Sequence, residues 1–398
     1  MSLSNTALFT DQSIPRSSSF QALVNSLATP NGGEWSYQHS VATDLDIAPG
    51  RLVRNVTLFG VGEPHAVFSC QAQRMAEVTT VALRDVLYSG NSTVVQSLKH
   101  GFYEPSVRAI WAGGGPALLS KLEPFYSLKK DQVTLVPANL KSVECIDKIA
   151  IPICGSGFHN YGHFFLDGLP AALQYSQALP SGEFRLVGNH LAEWQKDILH
   201  GLGLLPFYHP VTSPVLFSKA IVSNMLAQHL PYPTRNIRPV FDKLRFLHGS
   251  AERRERIVFL SRRSDTSRRL LVNRREVEAA LENAGVEIHH PEQMTLQEQI
   301  ALASSSRLII GELGAAMCNI GFCDPGASVL DIQQEGYPDI YVRSMCHIMG
   351  LKWHLYVAEV DHARMAARTG ETPHCIFRVD VKALMDAIRT ITDRENLR

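Results

Sequence analysis

The sequence predicts an α/β protein with two Rossmann-type domains facing a cleft and an additional β-rich region ahead of them. Three observations carry that prediction. Strand-like apolar runs alternate with helical patterns from Ile149 to Val222, and again from Ile257 to Ile391. Before them, from Arg51 to about Gln96, short β-branched runs separated by Gly and Asn turns read as antiparallel strands. Strand–helix alternation is the pattern of a parallel, doubly wound sheet.

Residues 1–50 are loop-like, with Pro15, Pro30, Gly32, Gly33, Pro49 and Gly50. The β-rich runs are Val53–Phe59, Ala66–Cys70, Val78–Tyr88 and Thr93–Leu98, and Gly113–Pro116 is a loop. Ile149–Ile153 is a buried strand. Phe164, Phe165, Leu169 and Leu173 then recur at helical spacing from about Asn160, where Pro170 should kink or end the first part. Phe184–Val187 and Leu216–Val222 are strands, with a helix over Ala192–Leu202 stopped by Gly203. Leu230–Arg254 holds three prolines and a charge run, and reads as the crossing between domains.

The second half is clearer. Strands fall at Ile257–Leu260, Val286–His289, Leu308–Gly311, Val329–Ile332 and Trp353–Ala358. Asn273 with Glu276, and Thr295 with Glu298, form capping-box patterns for two helices. Val277, Ala280, Leu281 and Ala284 make one apolar stripe ended by Gly285, and a last helix runs from about Val381 to Ile391. The expected domains are 1–144, 145–240 and 241–398, with the last helix free to cross back.

Bulk properties narrow the function. Lys+Arg and Asp+Glu are 38 each, giving a formal net charge of +0, so no broad basic surface for nucleic acid is expected. No apolar run approaches the roughly 20 residues that span a bilayer. The polar start, Met1 to Ser19, lacks the apolar core of a signal peptide. Seven cysteines without CxxC spacing fit reduced thiols, so the glycosylation-like Asn55 and Asn91 triplets carry no weight.

The chemistry-bearing stretch runs from Ile257 to Ile332. A strand is followed by Arg262, Arg263, Arg268, Arg269, Arg274 and Arg275, and later by the small-residue turn Gly311-Glu312-Leu313-Gly314-Ala315-Ala316. The planar guanidinium fork matches phosphate oxygens, and a turn feeding a helix offers backbone N–H groups with a positive dipole end. Arg262 and Glu312 each lie just past a strand end, where ligands of such sheets sit. Together they point to a diphosphate site, as of a nucleotide.

Ordered motifs over roughly 145–335 resemble glycosyltransferase family 61: Asn160-Tyr161-Gly162-His163…Asp167, then Ser261-Arg262…Arg269…Asn273, Gln299, and the stretch from Leu308 to Ile332. The resemblance implies the GT-B fold and an inverting transferase. Its donor would be a nucleotide-sugar, with no metal and no other cofactor. It places Asn160, Tyr161, Arg262, Arg269, Asn273, Glu312, Gly314, Ala315, Ala316 and Asn319 on the substrates. A glycan, polysaccharide or lipid-linked glycan is the implied acceptor. Two positions depart from the pattern: many relatives have His at Glu312 and Glu at Arg274. Glu312, which would repel a diphosphate, is expected either to meet a sugar hydroxyl or the donor ribose or to mark an altered site.

Inverting transfer needs a base for the acceptor hydroxyl and cations or dipoles for the leaving diphosphate. Arg262, Arg269 and the N–H groups near Gly314 and Ala315 would serve the second need. For the first, His163 and Asp167 share a helix face, and Asp167 acts as base or orients His163. His159 and His163 have zinc-like spacing but lack a third ligand, and Asp44-Leu45-Asp46 sits in a loop-rich tract, so no metal is expected. Cys318, Cys323, Trp353, His354 and Tyr356 read as packing. The expected location is cytoplasmic, with the inner membrane face as a peripheral alternative. A polysaccharide pyruvyltransferase, a nucleotide-sugar epimerase and a non-catalytic sugar-nucleotide binder are the competing readings.

Overall fold

In a computed structural model, the described residues are 35–39, 44–45, 57–60, 62, 73–74, 78–88, 95–97, 101–103, 126–129, 132–135, 143–153, 158–223, 233–250, 255–262, 269–335, 339–367 and 375–396. The fold is α/β with mixed sheets. The chain divides into two compact units, 1–42 with 75–240, and 43–74 with 241–398.

In the first unit, β-branched residues at Val81, Val86, Val187, Val215, Val222 and their neighbours bury one side of an eight-stranded sheet. Its parallel part is Tyr208–Pro210, Phe184–Gly188, Glu144–Pro152 and Val215–Ser223, in that order. Val78–Tyr88 continues the sheet antiparallel to Val215–Ser223, with Leu83 opposite Ala220 and Val81 opposite Val222. Val95–Ser97, Gly101–Tyr103 and Trp35–His39 complete it, all antiparallel. The antiparallel pattern expected before residue 144 is therefore present, but its long strand joins the first α/β sheet instead of standing apart. Long β-branched runs bury both faces, and their sequence does not say which strand they will pair with.

In the second unit, the strand order is Arg269–Leu271, Cys375–Arg378, Lys352–Val360, Ser328–Gln334, Ser306–Glu312, Arg256–Leu260 and Glu287–His289. Lys352–Val360 through Glu287–His289 run parallel, while Cys375–Arg378 is antiparallel to Lys352–Val360. Thr57–Gly60 pairs in parallel with Lys352–Val360, so the expected Val53–Phe59 strand belongs to this sheet and not to the earlier β-rich region. The backbones pack so closely that a side chain at Gly60 would meet the Val357 carbonyl.

The sequence-read helices lie at Glu193–Gly201, Arg274–Asn283, Leu296–Ser304 and Val381–Asn396. Thr295 caps its helix, taking the Glu298 N–H while Glu298 returns to the Thr295 N–H at 2.7 Å. Asn273 does not cap. Its amide spans to Val379, donating to the carbonyl at 2.8 Å and accepting the N–H at 3.2 Å. The last helix stays with the second unit's core through Leu384, Ala387, Ile388 and Ile391, a spacing of three and four that faces Phe377 and Tyr356. The expected Ala66–Cys70 strand and Gly113–Pro116 loop lie outside the described residues.

Candidate functional site

In the first unit the site begins where the parallel strand Glu144–Pro152 ends. A helix starts at Tyr161, with the Asn160 side chain accepting the His163 N–H at 3.3 Å. The next turn, Phe164–Gly168, is a π-helix, after which Leu169–Ala178 is α-helical. Pro170, expected to kink or end the first part of the helix, thus stands where the helix changes from π to α. It falls in the first turn of the α-helical part, where its missing N–H costs least, and the wide turn just before it absorbs the change. Gly168 lets that turn touch the sheet, because a side chain there would overlap the Ile153 carbonyl.

The wide turn brings His163 and Asp167 together, with Nδ1 and Oδ2 3.1 Å apart. Asp167 is sealed at 2% exposure, whereas His163 keeps 30%. A carboxylate in its ionised form only accepts; in that state it would take the Nδ1–H and leave Nε2 as the ring's acceptor. Tyr161 packs on Phe165 and Trp194, with ring centroids 4.9 and 5.7 Å away, so an aromatic cluster backs the turn. Asn160 is exposed and Tyr161 half-buried.

In the second unit, the Arg256–Leu260 strand delivers Ser261 and Arg262, and Ser306–Glu312 delivers Leu313 and Gly314. Arg262 donates through Nη2 to the Leu313 carbonyl at 2.6 Å, and Arg269 donates to the same oxygen through Nη1. Burial lowers the Arg262 pKa, an effect opposed by nearby Glu312. Gly314 has φ 149°, and a Cβ there would overlap the Arg262 guanidinium. Tyr341 donates its hydroxyl to the Gly314 carbonyl at 2.5 Å. Both carbonyls of the turn are therefore occupied. The N–H groups of Ala315 and Ala316 open the 3-10 helix Ala315–Phe322, at the end where backbone donors lack intrahelical partners.

Glu312 sits beneath this turn at 1% exposure. Arg274, itself 7% exposed, grips it with both terminal nitrogens, Nη2 reaching Oε2 at 3.1 Å, and gives Nη1 also to Ser261 Oγ at 3.1 Å. Ser261 in turn donates to Glu278. The carboxylate thus lies inside on an arginine, the altered arrangement that the sequence allowed beside a contact to a sugar hydroxyl or ribose. A carboxylate paired this way repels a diphosphate far less. Asn319 is buried and donates to Gln299 at 2.9 Å, while Asn273 bridges to Val379 as described. Both asparagines are thus engaged within the protein.

Beside Arg262 a cavity of about 950 Å³ opens within the same unit. Its charged lining is Arg262, Arg274, Arg275, Arg364 and Arg378 against Glu276 and Glu278, with His290 adding an imidazole. Sequence reasoning missed Tyr341, His290, Arg364 and Arg378 here, since each arrives from a different element with no local motif. Arg274 was read as one of the arginine run and as a departure, not as the partner of Glu312; its opposite charge to Glu312 was the available signal.

Among the described residues no three His, Cys, Asp or Glu side chains gather in a way that could hold a metal, and no helix is long and apolar enough to cross a membrane. Asp46 lies outside the described residues. The family model described as Glycosyltransferase 61 matches residues 161–330. No curated protein matches the chain.

Proposed function

Because residues 161–330 place this chain in glycosyltransferase family 61 and the protein is accordingly a glycosyltransferase, we propose that it is inverting and metal-independent, with a nucleotide-sugar donor and a glycan or polysaccharide acceptor. The proposal takes the overall arrangement as GT-B, with the acceptor on the 145–240 side and the donor on the 241–398 side. The location proposed is cytoplasmic, soluble or peripheral at the membrane.

The observation that carries the reading is the convergence of Arg262 and Arg269 on the Leu313–Gly314 turn. Two guanidiniums and the N–H groups opening at Ala315 and Ala316 concentrate positive charge at strand ends. A leaving diphosphate gains negative charge as the glycosidic bond breaks, and fixed cations and dipoles stabilise it without needing to reorganise. On the acceptor side, His163 takes the hydroxyl proton through Nε2. Asp167 is the positioning residue: buried, it fixes the tautomer and steadies the imidazolium that forms. This ordering follows from burial, since a carboxylate at 2% exposure is poorly placed to meet an incoming hydroxyl.

The test is turnover of a nucleotide-sugar panel with glycan acceptors. Release of a nucleoside diphosphate stoichiometric with acceptor glycosylation supports the reading. Release of a donor epimer, pyruvyl transfer to the acceptor when phosphoenolpyruvate is added alongside the panel, or saturable binding without turnover refutes it.

A further inference from the structure

We propose that the arginine-lined cavity of the second unit is a subsite for an acidic saccharide, one bearing a carboxylate or phosphate next to the diphosphate grip. The inference rests on the donor reading above. Cavities for whole small-molecule ligands span roughly 300–1,000 Å³, and this one, at about 950 Å³, leaves most of its space unfilled by a diphosphate. Five arginines line it against two glutamates. Arg262 and Arg274, the inner pair, already donate to Leu313 and Glu312.

The outer three carry the looser contacts and lie apart from the diphosphate grip. Arg364 lies 3.6 Å from Asp361 and Arg378 3.9 Å from Glu276, and both arginine side chains are more than half exposed, at 58% and 53%. Such loose surface pairs hold little energy, so a bidentate carboxylate or phosphate can replace them. Arg275 is exposed on the first turn of the Arg274–Asn283 helix, and Asn273, just ahead of that helix, turns its side chain to Val379 and Glu276 instead of capping it. That helix end therefore adds its own positive field to the cavity. Leu270 and Val272 supply an apolar wall suited to the C–H face of a sugar ring.

The experiment measures binding by calorimetry to the full chain with matched neutral and acidic probes: UDP-glucose against UDP-glucuronate, GDP-mannose against GDP-mannuronate, and maltotetraose against tetragalacturonate. The donor pairs and the oligosaccharide pair separate a donor source of the anion from an acceptor source. In at least one pair the acidic member should bind about tenfold more tightly. The variant R275A/R364A/R378A should erase that preference while UDP and GDP affinities stay within twofold. Equal binding of neutral and acidic members in every pair overturns the proposal. So does a variant that loses UDP or GDP itself, because the three arginines would then belong to the diphosphate grip. If no nucleotide binds wild type, the donor reading fails and the oligosaccharide pair alone decides this one.

Discussion

Arg274 and Glu312 form a buried, bidentate ion pair, and they are the two positions singled out in the sequence as departing from the resembled pattern. Two departures of opposite sign have become one contact. Breaking a buried pair leaves an uncompensated charge, whereas replacing both partners with apolar groups removes both desolvation costs. Glu312→Ala should therefore destabilise the fold by about 3–5 kcal/mol, and Arg274→Met/Glu312→Leu by much less. Chemical denaturation of both variants checks this. A double variant as unstable as the single one would show that the pair is not the source of the loss.

The Leu313–Gly314 turn and Arg262 are fitted to each other. Gly314→Ala puts a methyl group where the Arg262 guanidinium lies and strains a φ of 149°. Arg262→Lys keeps the charge but gives up the planar fork, and should weaken nucleoside diphosphate binding by roughly 1–3 kcal/mol. Gly314→Ala should weaken it at least as much. Binding isotherms for UDP, GDP and CDP test both; wild-type affinity in the lysine variant would remove Arg262 from the diphosphate.

His163 and Asp167 should act on transfer and not on donor binding. His163→Ala should lower kcat about 100-fold or more, the scale of general base catalysis, with donor Kd unchanged. Asp167→Asn keeps the shape but loses the charge that steadies the imidazolium, so it should fall in the same direction. Steady-state kinetics beside donor binding separates the two effects. Equal losses in Kd and kcat would point to a folding defect.

Asp331 makes stability pH-dependent. Burial is the main reason its pKa rises to about 7, with Oδ2 held by Gln333 and Trp353 and Oδ1 left without a hydrogen bond. The folded state thus keeps a proton that the unfolded chain releases near pH 4. From about pH 4 to 7 the unfolded state binds fewer protons, so this group's contribution falls as pH rises and levels off above 7. Asp331→Asn should be roughly 2–4 kcal/mol more favourable, relative to wild type, at pH 8 than at pH 4. Urea melts at both pH values check the difference, and a difference independent of pH would contradict it.

Much of this was legible in the sequence because it is local. The Val78–Tyr88 strand, the Thr295–Glu298 cap and the stripe of the last helix each follow from residue spacing within one element. The His163–Asp167 contact was readable for the same reason, as a four-residue helical step, although the π-turn that carries it was not. What spacing could not give was long-range pairing. The strands at Arg269–Leu271 and Cys375–Arg378, three and four residues long, have too little pattern to read, yet they hold Arg269 and Arg378 at the site. Asn273 looked like a cap because its partner at Val379 lies 106 residues away. Thr57–Gly60 looked like part of an antiparallel β region and pairs instead, in parallel, with Lys352–Val360.

Inverting, metal-independent sugar transfer is tested by proton NMR of the linkage formed in excess EDTA. Transfer should persist, and the new linkage should have the anomeric configuration opposite to the donor's. Retained configuration, or transfer abolished by EDTA and restored by manganese or magnesium, would contradict it.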